Sequence, residues 1–254
     1  LALGFDGDGD RCGVCDDKGE EIFADKIGVM LARDLSALYP NRVFVADVKS
    51  TGLFAVDPVL KANGASADYW MTGHSHIKRR NHQINALAAF EKSGHFFFNA
   101  PVGRGYDDGL VSAIAVLRMM ERNPGKSLSQ LYGELPVTHA TLTMGPYCGD
   151  TVKYGVVDEL VAKFQKMKAD GESVTGQKIV DVLTVNGVRF TTEDGTWGLI
   201  RASSNKPQLV VVAESPVSKA RMCAMYRYLK QILDADPRMG EWDQNMDAIC
   251  QDCH

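Results

Sequence analysis

Between residues 25 and 122 the sequence switches repeatedly between helical and continuous-apolar patterning, and this alternation narrows the fold more than any other feature. In residues 25–38 the apolar side chains fall at 27, 30, 31, 35 and 38, a helical stripe. Residues 43–48 are almost wholly apolar, as expected for a parallel strand covered on both faces. Asp57-Pro58 reads as an N-cap and first helical residue, with Gly64 as the stop. Tyr69-Trp70-Met71 is the next strand, residues 76–87 a helix, residues 95–99 a third strand, and residues 108–122 a helix capped by Asp108. Strand and helix in alternation imply α/β with a mixed, largely parallel sheet.

The character changes after Leu135-Pro136. A helix over residues 151–169 is followed by short strands at 178–185, 188–191, 197–202 and 209–214, and by a last helix at 218–233. Asn186-Gly187 is a hairpin signal. Strands clustered between helices imply a smaller α+β C-terminal domain with an antiparallel sheet, the boundary lying near residues 133–137. The opening Leu1-Ala2-Leu3-Gly4-Phe5 reads as a buried strand rather than a signal peptide with a basic start. A strand with nothing before it carries the expectation that the chain continues a longer protein.

Composition excludes several function classes. A net charge of −4 does not suit a broad nucleic-acid surface, so an anionic ligand has to be held by a local basic cluster. No apolar run approaches the roughly 18 residues that span a bilayer. Six cysteines are present, with ligand-like spacing in Cys12-x-x-Cys15 and in Cys250-x-x-Cys253-His254. The two pairs stand too far apart for a zinc ribbon, and residues 12 and 15 of one strand point to opposite faces. The second pair also matches a c-type haem attachment site, but it lies in a polar tail. Free thiols in a reducing cytoplasm are therefore expected.

Asp6-Gly7-Asp8-Gly9-Asp10-Arg11 is the most informative stretch. Carboxylates at alternate positions converge on one point when the intervening glycines take unusual backbone angles. All-oxygen ligation selects a hard cation, Mg²⁺ or Ca²⁺. A plain solvated turn is the competing reading. An EF-hand is excluded by register: counted from Asp6, Arg11 stands where glycine is required and Asp17 where a bidentate Glu is required.

Three further clusters carry donors and acceptors. Glu91-Lys92-Ser93-Gly94-His95 is read at the end of a helix, before Phe96-Phe97-Phe98; it suits sugar hydroxyls, with His95 available for proton transfer, or else it is a helix C-cap. Arg201-Ala202-Ser203-Ser204-Asn205-Lys206-Pro207 lies between two strands; Arg201 offers a bidentate fork to phosphate, and Ser203, Ser204, Asn205 and Lys206 add donors, unless the loop is an ordinary turn. Lys49 and His74 lie just past the ends of parallel strands, where ligands of open α/β sheets collect. Lys78-Arg79-Arg80 reads as a solvated helix face.

Together these stretches resemble the α-D-phosphohexomutase family, especially its phosphomannomutase/phosphoglucomutase branch, along essentially the whole chain. The Asp-Gly-Asp-Gly-Asp-Arg run is similar to the family's magnesium loop, Glu91 to His95 to its sugar-recognition loop, and Arg201 to Pro207 to its phosphate loop. The resemblance implies that residues 1–20 end the second of four domains, that residues 21–134 form the third, sugar-binding domain, and that residues 135–254 form the fourth, phosphate-binding domain. It implies Mg²⁺ on Asp6, Asp8 and Asp10, Glu91 and Ser93 on sugar hydroxyls, and Lys49, His74 and His95 as catalytic residues lining the cleft. Arg11, Arg201, Ser203, Ser204, Asn205 and Lys206 would contact substrate.

The family moves phosphate between the 6- and 1-positions of a hexose through a phosphoserine and a hexose bisphosphate. Its serine motif, typically Thr-Ala-Ser-His-Asn, is not in these 254 residues. The resemblance therefore implies that the partner of this chain is its own N-terminal domains, that the chain alone is inactive, and that the enzyme is cytoplasmic with mannose and glucose phosphates as substrates. Glucosamine-type relatives usually carry Gln in the sugar loop and Arg-Pro-Ser-Gly-Thr-Glu in the phosphate loop; Lys92 and Arg201-Ala202-Ser203 favour the mannose/glucose branch. Ser204-Asn205-Lys206 stands where Asn-Thr-Thr is more usual, and Met71 where relatives often have a basic residue. The alternatives are a phosphoglucosamine mutase, a non-catalytic phosphosugar-binding module, and a Ca²⁺-dependent structural domain, which the loop register opposes.

Overall fold

The computed structural model describes residues 1–251 and divides into two compact units, residues 1–136 and 137 onward, each with its own apolar core. No helix among the described residues is long and apolar enough to cross a membrane.

The first unit opens with an antiparallel meander of β1 (Ala2–Phe5), β2 (Cys12–Cys15) and β3 (Glu21–Ile22). Then come α1 (Ala24–Leu38), β4 (Val43–Asp47), α2 (Leu53–Val56), α3 (Pro58–Ala62), β5 (Ser66–Trp70), α4 (His74–Gln83), β6 (Ala88–Phe90), β7 (Phe96–Phe98), α5 (Gly109–Arg122) and α6 (Leu128–Gly133). The second sheet has the order β5-β4-β6-β7; β4 is parallel to both β5 and β6, and only β7 runs antiparallel. The mixed, largely parallel sheet is thus present. Asp57 and Asp108 cap α3 and α5, each accepting two backbone N–H groups of the first turn.

Alternation decides what each strand buries. Phe96 and Phe98 face the core shared with α1, where Phe90 stacks on Phe54 at 5.6 Å and meets Phe96 edge-on at 5.2 Å. Phe97 points the other way, into a smaller cluster with Val45 and Ile77. Fully burying one such side chain contributes about 1.5–3 kcal/mol.

The second unit comprises β8 (His139–Ala140), β9 (Pro146–Cys148), α7 (Lys153–Ala169), β10 (Ser173–Val174), β11 (Gln177–Leu183), β12 (Val188–Thr192), β13 (Trp197–Ala202), β14 (Leu209–Ser215), α8 (Lys219–Asp234), β15 (Met239–Trp242) and α9 (Asp247–Cys250). Its main sheet is antiparallel, in the order β10-β11-β12-β13-β14-β8, and β15 pairs with β9. Phe164 of α7 stacks on Phe190 of β12 at 4.1 Å, and Tyr226 and Leu229 of α8 fill the same core. Gly187 holds the β11–β12 turn at φ 75°; a Cβ there would lie 2.3 Å from the Ile200 carbonyl oxygen.

Several expectations are corrected. The opening strand is not buried: Leu1 is 45% and Phe5 51% exposed. The helix expected over residues 76–87 starts at His74 and stops at Gln83, and β6 begins at Ala88. Hence Glu91 to His95 is no helix end but the turn of the β6–β7 hairpin. The face Lys78-Arg79-Arg80 is solvated only in part: Arg79 is exposed, but Lys78 Nζ lies 2.8 Å from Asp107, and Arg80 pairs with Asp68 and covers the Trp70 ring. Free thiols are found at Cys12, Cys15 and Cys148, but Cys223 and Cys250 form a disulfide inside the second core. Cys250 is therefore no part of a polar tail; Cys253 and His254 lie outside the described residues.

Gly28 is the tightest joint between α1 and the sheet. A Cβ at this position would stand 2.9 Å from Phe90 Cγ and 3.0 Å from Phe90 Cβ, close to the backbone that carries Glu91. Helix propensity favours alanine by roughly 1 kcal/mol, whereas overpacking costs about 1–3 kcal/mol. Gly28→Ala is expected to destabilise the first unit by a net amount on the order of 1 kcal/mol, read as a lower urea midpoint at unchanged slope.

Candidate functional site

The β1–β2 connection carries the aspartate loop. Gly9 turns it at φ 76°, and the carboxylates of Asp6, Asp8 and Asp10 each offer an oxygen within 4.8 Å of the others. The loop sits on the N-terminus of α5, where the Gly109 N–H donates to the Gly9 carbonyl at 3.0 Å. Any side chain at 109 would strike the loop, since its Cβ would lie 2.7 Å from the Arg11 carbonyl oxygen. Arg11 donates from Nε to Asp6 Oδ2 at 2.5 Å and lies 3.8 Å from Asp10. This guanidinium hydrogen bond holds the Asp6 carboxyl down at about 2. Asp10 Oδ1 is enclosed without a hydrogen-bond partner among the described residues. An all-carboxylate set with one unanswered oxygen fits a hard divalent cation such as Mg²⁺.

Arg11 and His95 form an isolated antiparallel bridge that fastens this loop to the β6–β7 turn. In the turn, the Glu91 N–H donates to the His95 carbonyl and the Gly94 N–H to the Glu91 carbonyl, both at 3.0 Å, with Gly94 at φ 100°. Ser93 is exposed at the tip. Glu91 is 1% exposed, and its Oε1 accepts the Gly73 N–H at 2.6 Å. Burial first, and then the nearby Asp47 charge, push its carboxyl up to about 7 against the opposing pull of Gly73 N–H and Lys49.

The imidazoles gather around Asp107. His95 Nδ1 lies 3.5 Å from Asp10 Oδ2 and 3.6 Å from Asp107 Oδ2; His74 Nδ1 is 3.5 Å from the same Asp107 oxygen, and the two rings stack at 5.8 Å. Burial lowers the His95 value even though both carboxylates raise it. Sequence reasoning missed Asp107. The available signal was a second aspartate beside Asp108, where one suffices as a cap.

Lys49 stands past the end of β4, its ammonium 3.8 Å from Asp47 Oδ2. Asp47 is fully buried and also accepts from Ser50 Oγ, Thr72 Oγ1 and Lys92 N. Burial raises this carboxyl, but Lys49 and the three hydrogen bonds outweigh it and hold Asp47 below its ordinary value. Lys92 reaches Asp25 at 3.5 Å, and Asp25 also accepts the Thr51 N–H. Asp47 and Asp25 were likewise missed, since their role is visible only once the loops are together.

The first unit therefore brings Asp6, Asp8, Asp10, Arg11, Lys49, His74, Glu91 and His95 into one connected set. The remaining candidates belong to the second unit. Arg201, near the end of β13, is 7% exposed, with Nη1 donating to the Ala202 carbonyl at 2.9 Å. Ser203 Oγ accepts the N–H groups of Asn205 and Lys206, both at 3.3 Å, and Ser204, Asn205 and Lys206 are exposed. Lys153, 3% exposed, supports the loop from below by donating to the Lys206 carbonyl at 3.0 Å. It escaped sequence reasoning because nothing in its neighbourhood marks it.

Comparisons with known proteins bear on both units. Residues 23–139 match the model described as phosphoglucomutase/phosphomannomutase, alpha/beta/alpha domain III, and residues 153–225 match that of the C-terminal domain. A phosphomannomutase/phosphoglucomutase of Pseudomonas putida is 32% identical over 94% of this chain and 48% of its own length. A phosphoglucomutase of Neisseria meningitidis shows the same identity and coverage. A solved phosphoglucomutase/phosphomannomutase family protein of Burkholderia thailandensis superposes with a TM-score of 0.74 at 29% identity, over 92% of this chain and 46% of that one. The chain spans about half the length of the curated relatives it matches. With both of its units matched in order, the chain belongs to the phosphoglucomutase/phosphomannomutase family of α-D-phosphohexomutases.

Proposed function

We propose that this chain supplies the metal-, sugar- and phosphate-binding parts of a phosphohexomutase that interconverts the 6- and 1-phosphates of mannose and glucose. The observation that carries the reading is the Arg11–His95 bridge, which sets a three-carboxylate loop directly against a turn holding the buried Glu91 and His95, with His74 of α4 stacked on the His95 ring. The family's serine motif is not among these 254 residues, so the phosphoryl donor is assigned to a further segment of the protein.

Asp6, Asp8 and Asp10 would hold Mg²⁺, which when bound supplies charge neutralisation to a transferring phosphoryl group. Glu91, anchored through Oε1 by Gly73, presents its second oxygen to sugar hydroxyls, and Ser93 adds a hydroxyl at the exposed tip. Lys49 supplies a fixed cation. His95 has Nδ1 enclosed between two carboxylates, which leaves Nε2 to exchange a proton with a substrate oxygen. In the second unit Arg201 and the 203–206 donors would grip the phosphate that is not being transferred.

The reading is tested by assaying conversion of mannose 1-phosphate with this chain alone and after adding a separately produced N-terminal half of the Pseudomonas putida relative. Activity is expected only in the mixture, because positioning groups without a phosphoryl donor bind but do not transfer. Turnover by the chain alone would place the nucleophile within these residues and overturn the assignment.

Asp8 is exposed, so Asp8→Asn leaves the fold intact while removing one carboxylate. Calorimetric Mg²⁺ affinity is expected to fall on the order of tenfold or more; equal affinity in the variant would remove the metal assignment.

Glu91 also predicts a pH dependence. Its folded value of about 7 lies above the ordinary 4.5, so its favourable contribution is full below pH 4.5 and is lost as pH rises through 7. Glu91→Gln keeps an acceptor for Gly73 N–H and cannot ionise. Relative to this variant, the wild type is expected to lose on the order of 3 kcal/mol of stability across that window in urea titrations. Parallel curves from pH 4.5 to 8 would contradict it.

A further inference from the structure

Asp47, outside the set that sequence reasoning assigned, is a wholly buried carboxylate at the end of β4. Its Oδ1 accepts from Ser50 Oγ at 2.6 Å and from the Lys92 N–H at 3.1 Å. Its Oδ2 accepts from Thr72 Oγ1 at 2.8 Å and lies 3.8 Å from Lys49 Nζ. These partners come from three separate loops: one follows β4, one follows β5 and one is the β6–β7 turn. All three loops leave the same edge of the sheet, because β5, β4 and β6 run parallel.

Packing alone does not ask for a charge here. Burying an ion costs several kcal/mol after relaxation, which a neutral side chain of similar size avoids. A carboxylate, unlike such a side chain, can accept from three loops at once while facing an ammonium. The consequences reach Glu91 from both sides. Lys92 N is the next backbone donor after Glu91, and Thr72 precedes Gly73, whose N–H holds Glu91 Oε1 at 2.6 Å.

We propose that Asp47 is the positioning residue of the sugar site: one carboxylate registers the loops of Lys49, Gly73-His74 and Glu91-His95 against one another, so that Lys49, His74 and Glu91 converge on one ligand. The inference rests on the assignment of Lys49 and Glu91 to sugar-phosphate binding. Asp47 itself, being fully buried, acts through these loops. Its charge also acts on Glu91 directly: after burial it is the largest contribution raising that carboxyl to about 7, with Asp107 adding to it and the Gly73 N–H and Lys49 opposing it.

The test uses the full 254-residue chain with carboxyl-labelled glutamate, amide hydrogen exchange and titration with glucose 1-phosphate. In Asp47→Asn the Glu91 midpoint is expected to fall from about 7 toward 4.5 without reaching it, since burial persists. Exchange at Lys92 and Gly73 should rise on the order of tenfold, with Val45 and Phe97 unchanged, and affinity should fall by a similar factor. Thr72→Val keeps the charge and cuts one tether, so Gly73 exchange rises while the Glu91 midpoint stays near 7.

Wild-type midpoint and exchange in Asp47→Asn would overturn the proposal, as would unchanged Gly73 exchange in Thr72→Val if the first variant fails to fold. So would unaltered affinity in Asp47→Asn where Glu91→Gln loses it. If Glu91→Gln binds glucose 1-phosphate as the wild type does, the sugar-site assignment fails instead, and Asp47 is judged on midpoint and exchange alone.

Discussion

Desolvation of charge is the constraint around which the first unit is arranged. Asp25, Asp47, Asp57 and Glu91 are all at most 1% exposed, in a domain whose sheet is otherwise lined with phenylalanine and alanine. Each must be answered by donors or shift its protonation. Asp57 is answered by Arg33 and by the first turn of α3, far from the loops at the sheet edge. Asp47 is answered by three loops. Glu91 accepts the Gly73 N–H and, largely through burial, holds its proton to about 7. A group in that condition retains unused hydrogen-bonding capacity, which is what a ligand-facing residue requires.

The parallel order of β5, β4 and β6 explains why these groups meet at all. Strands running the same way deliver their following loops to one edge, and the antiparallel β7 returns the chain so that the Glu91–His95 turn opens at that edge too. The aspartate loop reaches the same place by a different route. It belongs to a small hairpin, and the approach of that hairpin to α5 depends on there being no side chain at Gly109. Two sheets of different topology are therefore joined at a single backbone bridge between Arg11 and His95. The same logic appears in miniature in the second unit, where Gly187 lets the β11–β12 turn approach the backbone of Ile200 and Arg201.

Much of this was legible in the sequence, and the exceptions share a cause. Caps at Asp57 and Asp108 were readable because a capping side chain bonds to backbone two or three residues away. Strand β13 was readable because six consecutive buried residues leave a continuous apolar run apart from Arg201. By contrast β6 has three residues inside an alanine-rich stretch whose helical periodicity is indistinguishable from that of α4, so in the sequence the following turn reads as a helix end. The Cys223–Cys250 disulfide joins residues 27 apart with no motif between them. Asp107 and Asp47 are ordinary aspartates until folding places an imidazole beside one and three loops around the other.

The charges at the candidate site are unequally prepared for a ligand. Asp6 is already satisfied by Arg11, whose guanidinium occupies the same carboxylate that a cation would need. Arg11 lies in the strand-flanking position that faces the β6–β7 turn, with Gly94 approaching its aliphatic stem. A ligand of the aspartate loop would therefore meet Asp6 with Arg11 already upon it and Asp10 Oδ1 still without a hydrogen-bond partner among the described residues, so the two carboxylates of one six-residue run differ in what they can offer.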